Sequence, residues 1–346
     1  MKVVLFLGAG FSRAWGLPIM EEFFQYARGS DFLDEQEKAF LRDLQTTAER
    51  GGSMLQVRHN NLEEILSFCL ASRDFDVGYP SRGETRYERL CRILQNVYRR
   101  FDLKNWLEND GWRGSFCSIL GLHDGDSIPS QDLTFITTNY DVMIEYVVGM
   151  LDQHCIFPCK WSAVQSAGGE SRAGIMCADD HRGPLLCKLH GSLNWFVDDH
   201  GALQVENTIL SGTYKQGGTR PQVVFPKVSY RQYETPGAPL IVPPTLFKMQ
   251  TDPILGDVWR AAGRALQEAE KLAFVGFSFP ESDIHIRYFL AADLSGNPDL
   301  GSIDVVGPNA GEICRRLRES NFGLHFTERL RPIVGEWQRI AYSVLG

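Results

Sequence analysis

Two side chains in the sequence have the chemistry to act together on a substrate bond. Asn139 and His190 each follow a short apolar run that predicts a buried strand. A histidine near its usual pKa can take a proton at neutral pH, and a neutral amide can orient water or a sugar hydroxyl. Asp141, two residues after Asn139, is the third catalytic candidate.

The same residues also have structural explanations, which the sequence leaves open. Asn139 could cap the helix predicted after it, and Asp141 could be an acid in the first turn of that helix. His190 could be a structural histidine in a turn. Further along the chain, Asp283 and His285 either line the same site or lie on a solvated helix face.

A glycine-rich turn follows the first apolar run, Val3–Leu7. It consists of Gly8, Ala9 and Gly10, and Ser12 comes two residues later. Such a run is typical of a buried parallel strand, and glycine lets a backbone approach a ligand closely. A helix starting here would point free N–H groups at an anion such as a phosphate. The G-x-G-x-x-G pattern is incomplete, so a tight turn without a ligand remains the alternative.

Small or polar clusters follow five predicted strands, and they occur at residues 8–12, 137–141, 189–192, 276–283 and 307–309. In a doubly wound parallel sheet, the carboxyl ends of all strands lie at one edge, where ligands bind. The sequence therefore predicts an α/β fold with a Rossmann-like parallel sheet. Gly276, Ser278 and Asn309 are expected at the same edge as Asn139 and His190.

The strand and helix patterns predict a single domain over residues 1–346, built from three parts. These are a Rossmann-like core at 1–19, 130–192 and 246–346, a helical insertion at 20–129, and a small loop-rich module at 193–245. The insertion includes a long helix predicted over 84–107, which carries several arginines. A last helix is predicted over 328–344.

Composition narrows the class of protein. The chain has 346 residues, 43% of them apolar and 23% charged, and a net charge of −8, so direct nucleic-acid binding is not favoured. We expect no signal peptide, because the first apolar run is short and ends in glycines, and no apolar stretch is long enough to cross a membrane. This predicts a cytoplasmic protein with reduced thiols. The spacing of Cys155, Cys159, Cys177 and Cys187 is irregular, so buried thiols are expected and no metal is expected.

The strand-end motifs, taken together and in order, resemble the sirtuin family. Residues 8–18, GAGFSRAWGLP, are similar to its GAG-x-S…G-[IL]-P segment, and TTNYD and LHGS are similar to its T-Q-N-[IV]-D and histidine-glycine segments. The resemblance implies NAD as the substrate and His190 as the base. It places the remaining residues as follows: Gly8, Ala9, Gly10 and Ser12 at the pyrophosphate, Asn139 and Asp141 at the nicotinamide ribose, and Gly276, Ser278 and Asn309 on the adenosine side.

The chain departs from the protein deacylases of that family in two respects. The arginine of the Pro-x-Phe-Arg segment is absent after Pro18, and the zinc cysteines are absent because only Cys314 lies beyond His190. The helical insertion and the segment GFSFPESDIHI resemble the bacterial sirtuin-like NAD hydrolases of antiviral defence more than they resemble the deacylases.

This second likeness implies hydrolysis of NAD to ADP-ribose and nicotinamide by a triggered effector. Such an activity needs control, so we expect a homo-oligomer, with a DNA-translocating ATPase or an Argonaute-type sensor as the partner and no membrane contact. The alternatives are an NAD-dependent protein deacylase and a catalytically silent scaffold that binds NAD or ADP-ribose.

Overall fold

A six-stranded parallel sheet is the centre of the fold. The computed structural model describes residues 1–31, 33–55, 58–75, 85–99, 116–117, 119–120, 132–150, 155–159, 161–164, 183–206, 213–215, 222–224, 239–243, 253–280, 283–319, 328–337 and 344. The strands are β1 (Val3–Leu7), β2 (Leu133–Thr137), β3 (Trp161–Val164), β4 (Leu185–Lys188), β5 (Trp195–Val197), β6 (Leu203–Glu206), β7 (Thr213–Lys215), β8 (Gln222–Val224), β9 (Lys271–Val275), β10 (Ser302–Gly307) and β11 (Leu330–Val334).

The order of strands in this sheet is β4-β2-β1-β9-β10-β11. Counted along the chain, these strands are the third, second, first, fourth, fifth and sixth, which is the doubly wound order. The order reverses between β1 and β9, and the carboxyl ends of all six strands lie at one edge, called the carboxyl edge below. The prediction of a Rossmann-like α/β fold is confirmed.

The central position of β1 follows from its composition. All five of its residues, VVLFL, are buried, as expected for a strand covered on both faces. Val3 is in register with Leu133 of β2 on one side and with Lys271 of β9 on the other.

Helices cover the sheet and also form a separate layer. They are α1 (Ala9–Arg13), α2 (Phe23–Gly29), α3 (Glu35–Leu55), α4 (Leu62–Phe75), α5 (Arg86–Arg99), α6 (Met143–Met150), α7 (Pro253–Gln267), α8 (Ile284–Ser295) and α9 (Ala310–Glu319). The helical layer, α2 to α5, follows β1 in the chain and has its own buried apolar cluster. That cluster also contains Tyr140 and Leu193, so the layer packs against the turns that follow β2 and β4.

The structure differs from the predicted elements at the carboxyl-terminal side. The helix predicted over 328–344 is wrong, because Leu330–Val334 forms β11 and pairs in parallel with β10. Pro332 lies inside this segment, and proline is disfavoured in a helix interior but tolerated in an edge strand. Residues 338–343 lie outside the described residues, as do residues 100–107 of the long helix predicted over 84–107.

The loop-rich module contains short strands in its described parts. β5 and β6 pair antiparallel, β3 joins them in parallel, and β7 and β8 form a separate antiparallel pair. Within the described part of the chain, no helix has the length and hydropathy needed to span a bilayer.

Candidate functional site

A short series of hydrogen bonds fixes the turn after β2 to its two neighbouring strands. The Thr137 hydroxyl donates to the Leu7 carbonyl at 2.8 Å, and its oxygen accepts the N–H of Asn139 at 3.0 Å. On the other side, the Leu189 N–H donates to the Thr137 carbonyl at 2.9 Å. The backbone of Asn139 is therefore held at the carboxyl edge by both β1 and β4.

The side chain of Asn139 is buried and held in one orientation. Its Nδ2 donates to the Gly8 carbonyl at 2.9 Å and to the Ser12 hydroxyl at 3.0 Å. A carbonyl oxygen only accepts, so the nitrogen must face Gly8 and Oδ1 must face away. Oδ1 accepts no hydrogen bond from any residue that the structure describes. Sequence reasoning thus placed Asn139 and Ser12 in one site, and the structure brings them into contact.

Asp141, and not Asn139, makes the polar contact at the start of α6. Its Oδ1 accepts the N–H of Met143 at 3.0 Å. The alternative in which Asn139 caps this helix is therefore wrong, and the alternative in which Asp141 stabilises the helix start agrees with the structure.

A buried ion pair under this turn was missed by the sequence analysis. Lys188, at the end of β4, has no exposed surface, and its Nζ lies 2.9 Å from Oε1 of Glu145 on α6. The same ammonium group donates to the Asp141 carbonyl, so it also holds the turn. Burial raises the pKa of Glu145, although the Lys188 charge opposes this shift. The available signal was a lysine closing an apolar strand, where its charge needs a partner.

The three glycines at the carboxyl edge pack backbone against backbone. Gly8 N–H donates to the Val275 carbonyl at 3.0 Å, and Gly10 N–H donates to the Gly276 carbonyl at 2.9 Å. A Cβ atom on Gly10 would lie 2.8 Å from the Gly276 oxygen, and one on Gly276, whose φ is +63°, would lie 2.3 Å from the Phe11 nitrogen. The glycines are thus needed for protein packing at the point where the strand order reverses.

This packing changes the prediction for the phosphate site. The N–H groups of Gly8 and Gly10 are satisfied inside the protein and are not free to bind a phosphate, contrary to expectation. Ala9 begins α1, a helix of only five residues, and Ser12 on that helix is buried against Asn139.

His190 lies in a tight turn directly after β4. Gly191 has a φ of +79°, and a Cβ atom there would lie 2.0 Å from the Leu240 carbonyl oxygen. The chain segment 239–243 crosses this turn, and its Val242 N–H donates to the His190 carbonyl at 2.9 Å. Glycine is therefore required beside the histidine, because this segment leaves no room for a side chain.

The His190 ring contacts His285, which lies in the first turn of α8. Their Nε2 atoms are 3.1 Å apart, and both side chains are buried. The Nδ1 atoms of both rings have no hydrogen-bond partner within the described residues. Burial lowers the pKa of His190 to about 3, with a further contribution from His285, and burial lowers the pKa of His285 to about 4. The expectation that His190 keeps an ordinary pKa is therefore wrong.

Ser278 and Asn309 lie at the carboxyl edge but on its exposed part. Both are exposed, in the segments after β9 and β10. Arg316 of α9 donates to the backbone carbonyls of Ser278 and Phe279, and Phe279 has a left-handed φ of +52°. No described contact joins Ser278 or Asn309 to the buried Asn139 and His190.

The cysteines considered for zinc are buried where the structure describes them. Cys155, Cys159 and Cys187 are buried, and burial raises the pKa of Cys155 and Cys187. Cys177 lies outside the described residues. Among the residues that are described, no group of three or more metal-ligating side chains converges. The expected absence of a metal stays a prediction.

Comparison with known proteins adds little to this geometry. No protein-family model matches the chain, and no curated protein matches it. Among solved structures, the chain is similar to a Sir2 homologue. That structure is a triple mutant in complex with 2'-O-acetyl ADP ribose; the match has 14% identity and a TM-score of 0.36, and covers 100% of this chain and 86% of the other. At this level the likeness carries no argument about activity.

Proposed function

We propose that the chain hydrolyses NAD to ADP-ribose and nicotinamide. The observation that supports this most is the fixed amide of Asn139. Its nitrogen is bonded to Gly8 and Ser12, so Oδ1 is left as an oriented acceptor at the edge that also holds His190. A dipole that is already oriented stabilises a developing charge without a reorganisation cost.

The reaction suits a site with an amide and no strong acid. In NAD the nicotinamide is a cationic ring that leaves as a neutral base, so no general acid is needed. The ribose passes through an oxocarbenium-like transition state, in which positive charge develops near C1'. The Asn139 oxygen orients a ribose hydroxyl or the attacking water. Overall, NAD⁺ and water give ADP-ribose, nicotinamide and one proton.

His190 acts in this proposal as a neutral imidazole. In the tautomer whose Nε2–H donates to Nε2 of His285, Nδ1 carries no hydrogen and accepts a hydrogen bond from water or a ribose hydroxyl. With a pKa of about 3, the ring binds a proton poorly at neutral pH, so in this proposal it acts by orienting the water or the hydroxyl.

We further propose that the hydrolase is an effector that depletes NAD in the cytoplasm when triggered, as the resemblance to the defence enzymes implies. Because uncontrolled hydrolysis would harm the host, assembly into a homo-oligomer and a DNA-translocating ATPase or Argonaute-type partner are proposed as its control. Two arginines of α5 are engaged within the helical layer, since Arg89 lies over the Phe40 ring at 4.4 Å and Arg92 lies 3.6 Å from Glu37.

The purified chain incubated with NAD, with and without an acylated peptide, tests this function. Free ADP-ribose formed without peptide supports the hydrolase. Acyl-ADP-ribose formed only with the peptide would identify a deacylase instead. NAD binding without turnover, both for the chain alone and for the chain with its partner, would identify a scaffold.

Substitution of Asn139 tests the residue that supports the proposal. Asn139→Ala should remove most turnover while NAD binding, measured by calorimetry, is retained, because the amide acts mainly in the transition state. Asn297→Ala is a matched control: Asn297 is also buried and its Nδ2 also donates twice, to the carbonyls of Leu266 and Ala269. It should lose stability but keep its turnover per folded molecule. Equal turnover in the two folded variants would remove Asn139 from the mechanism.

His190 is tested in the same way. His190→Ala should lower turnover by roughly 10²–10⁴-fold if the ring handles the proton or orients water. His200→Ala, at an exposed turn, is the control and should be fully active. Near-normal turnover in folded His190→Ala would exclude this ring from catalysis.

A further inference from the structure

A second set of polar groups lies beside the His190 site and has no assigned role. Asp283 immediately precedes α8, where an aspartate ordinarily accepts a helix N–H, yet its side chain makes no cap hydrogen bond. The side chain is 2% exposed, and its Oδ1 has no partner within the described residues. A buried carboxyl oxygen without a donor is costly, which points to a ligand or water bound there.

Glu63, in the first turn of α4, is a carboxyl of the helical layer that interacts electrostatically with Asp283. It is half-buried and makes no hydrogen bond or ion pair with the described residues. The neighbouring Glu64, by contrast, pairs with Arg58 at 2.6 Å. Burial raises the pKa of Glu63, and the like charge of Asp283 raises it further. Burial also raises the pKa of Asp283. These two carboxyls, one in the helical layer and one at the start of α8, are called the carboxyl pair below.

Tyr140 connects this pair to the site already described. Its hydroxyl is buried without a partner in the described part of the chain, and its pKa is raised by burial first and then by charges that include Glu63 and Asp283. The charges of both carboxyls therefore act on this hydroxyl. Tyr140 directly follows Asn139, and its ring centroid is 6.1 Å from that of His190. His285, the contact of His190, comes two residues after Asp283.

We propose that Asp283, paired with Glu63, takes the proton from the water that attacks NAD. This inference rests on the proposed hydrolysis. The water oxygen forms a bond to C1' of the ribose as the bond from C1' to the nicotinamide nitrogen breaks. The electron pair of that bond leaves with nicotinamide, which becomes neutral. The water proton passes to the Asp283 carboxylate and from there to solvent, so atoms and charge balance.

The surroundings favour this carboxyl over His190 as the proton acceptor. His190 already uses Nε2 in its contact with His285, whereas Oδ1 of Asp283 has no described partner. One negative charge shared by the pair also stabilises the positive ribose in the transition state. Tyr140 supplies a hydroxyl that can hold the attacking water beside the carboxyls.

The charged and titratable groups around Asp283 come from three sides. The helical layer contributes Glu63, which itself interacts with Glu64 and Arg58. The turn after β2 contributes Tyr140, and His285, two residues after Asp283, brings its contact with His190. Both imidazoles are neutral above about pH 5, and Tyr140 stays protonated, since their pKa values are shifted away from neutrality. The pair of carboxyls therefore dominates any change of charge near neutral pH.

Kinetics on two variants and a control test the proposal. Asp283→Asn should lower kcat by roughly 10²–10⁴-fold with the Kd for NAD little changed, because a proton acceptor is lost. Glu63→Gln should lower kcat by no more than about tenfold and move the acidic limb of the pH profile to lower pH, because a like charge is removed. Glu64→Gln, one residue away and paired with Arg58, should leave that limb in place.

Three results would overturn the inference. Full turnover in folded Asp283→Asn excludes this base while leaving NAD hydrolysis intact. An unmoved acidic limb in Glu63→Gln excludes the pairing, and this measurement decides the matter if Asp283→Asn does not fold. A wild-type chain that gives no ADP-ribose, alone or with its partner, overturns the hydrolase and the base together.

A stability measurement without NAD checks the pair separately. Folding raises the pKa of both carboxyls, so the folded protein holds more protons than the unfolded chain, and stability falls as pH rises through the neutral range. The melting temperature of Asp283→Asn should fall less than that of wild type between pH 5 and pH 9. Parallel curves for the two proteins would exclude the coupled pair.

Discussion

The Nε2 atoms of His190 and His285 lie 3.1 Å apart, in a buried contact between the turn after β4 and the start of α8. One of these nitrogens must carry a hydrogen and the other must accept it, so both rings can be neutral together but cannot both be protonated without breaking the contact. The contact joins residues from two distant parts of the chain at the carboxyl edge.

The histidine contact predicts a loss of stability in acid. Folding lowers both pKa values from 6.5, so below that pH the unfolded chain binds more protons, and the free energy of unfolding falls as pH drops towards 4. Glutamine in His285→Gln keeps a hydrogen-bonding group but does not titrate. This variant should therefore lose about 3 kcal/mol less of its free energy of unfolding than wild type when the pH is lowered to 4. Urea unfolding at pH 7 and pH 4 measures this.

The control for this prediction is His200→Gln, at an exposed position. Its free energy of unfolding should depend on pH as that of wild type does. If His285→Gln shows the same acid loss as wild type, the two rings are not held neutral by the fold.

The buried pair of Lys188 and Glu145 predicts a large effect on stability. Lys188→Met leaves the Glu145 carboxylate buried without its partner, and we expect a loss of about 3–5 kcal/mol in the free energy of unfolding. The double variant with Glu145→Gln should recover much of this loss, because no unpaired charge remains. Lys2→Met, which removes an exposed pair with Glu268 of similar length, should change stability by less than about 1 kcal/mol.

Denaturant unfolding of these variants would decide whether the buried pair is structural. A Lys188→Met protein as stable as Lys2→Met would mean that Glu145 is satisfied in another way.

We expect Gly10 to be required for the packing of the fold rather than for contact with a ligand. In Gly10→Val the Cβ atom would meet the Gly276 backbone at 2.8 Å, so we expect a loss of about 3 kcal/mol or more, or failure to fold. Gly311→Ala, where a Cβ atom meets nothing within 4 Å inside α9, should instead stabilise by about 0.5–1 kcal/mol. Thermal melts of both variants test this contrast. A Gly10→Val protein with wild-type stability and no NAD binding would restore the phosphate interpretation.

The fold class could be predicted because each core strand is a short apolar run that ends in small or polar residues. A parallel sheet then gathers those ends at one edge, which is why Asn139, Ser12 and His190 could be assigned to the same edge of the sheet. The strand at Leu330–Val334 was missed, although Pro332 argued against a helix there.

Properties of the site that depend on burial could not be predicted from the sequence. A lone histidine gives no sign that another ring will contact it and lower its pKa to about 3. The partner of Lys188 lies 43 residues away, and the glycine turn after β1 packs against Gly276, which directly follows β9. These features follow from long-range contacts, which local patterns do not encode.

The position of β1 has a consequence for the order in which the chain can fold. This strand is synthesised before both of its neighbours in the sheet, β2, which begins at Leu133, and β9, which begins at Lys271. Contacts between residues so distant in sequence form slowly. Until β9 has been made, one side of a fully apolar strand has no hydrogen-bonding partner in the sheet, and such an edge promotes aggregation. Chains interrupted before Lys271 should therefore accumulate as insoluble material.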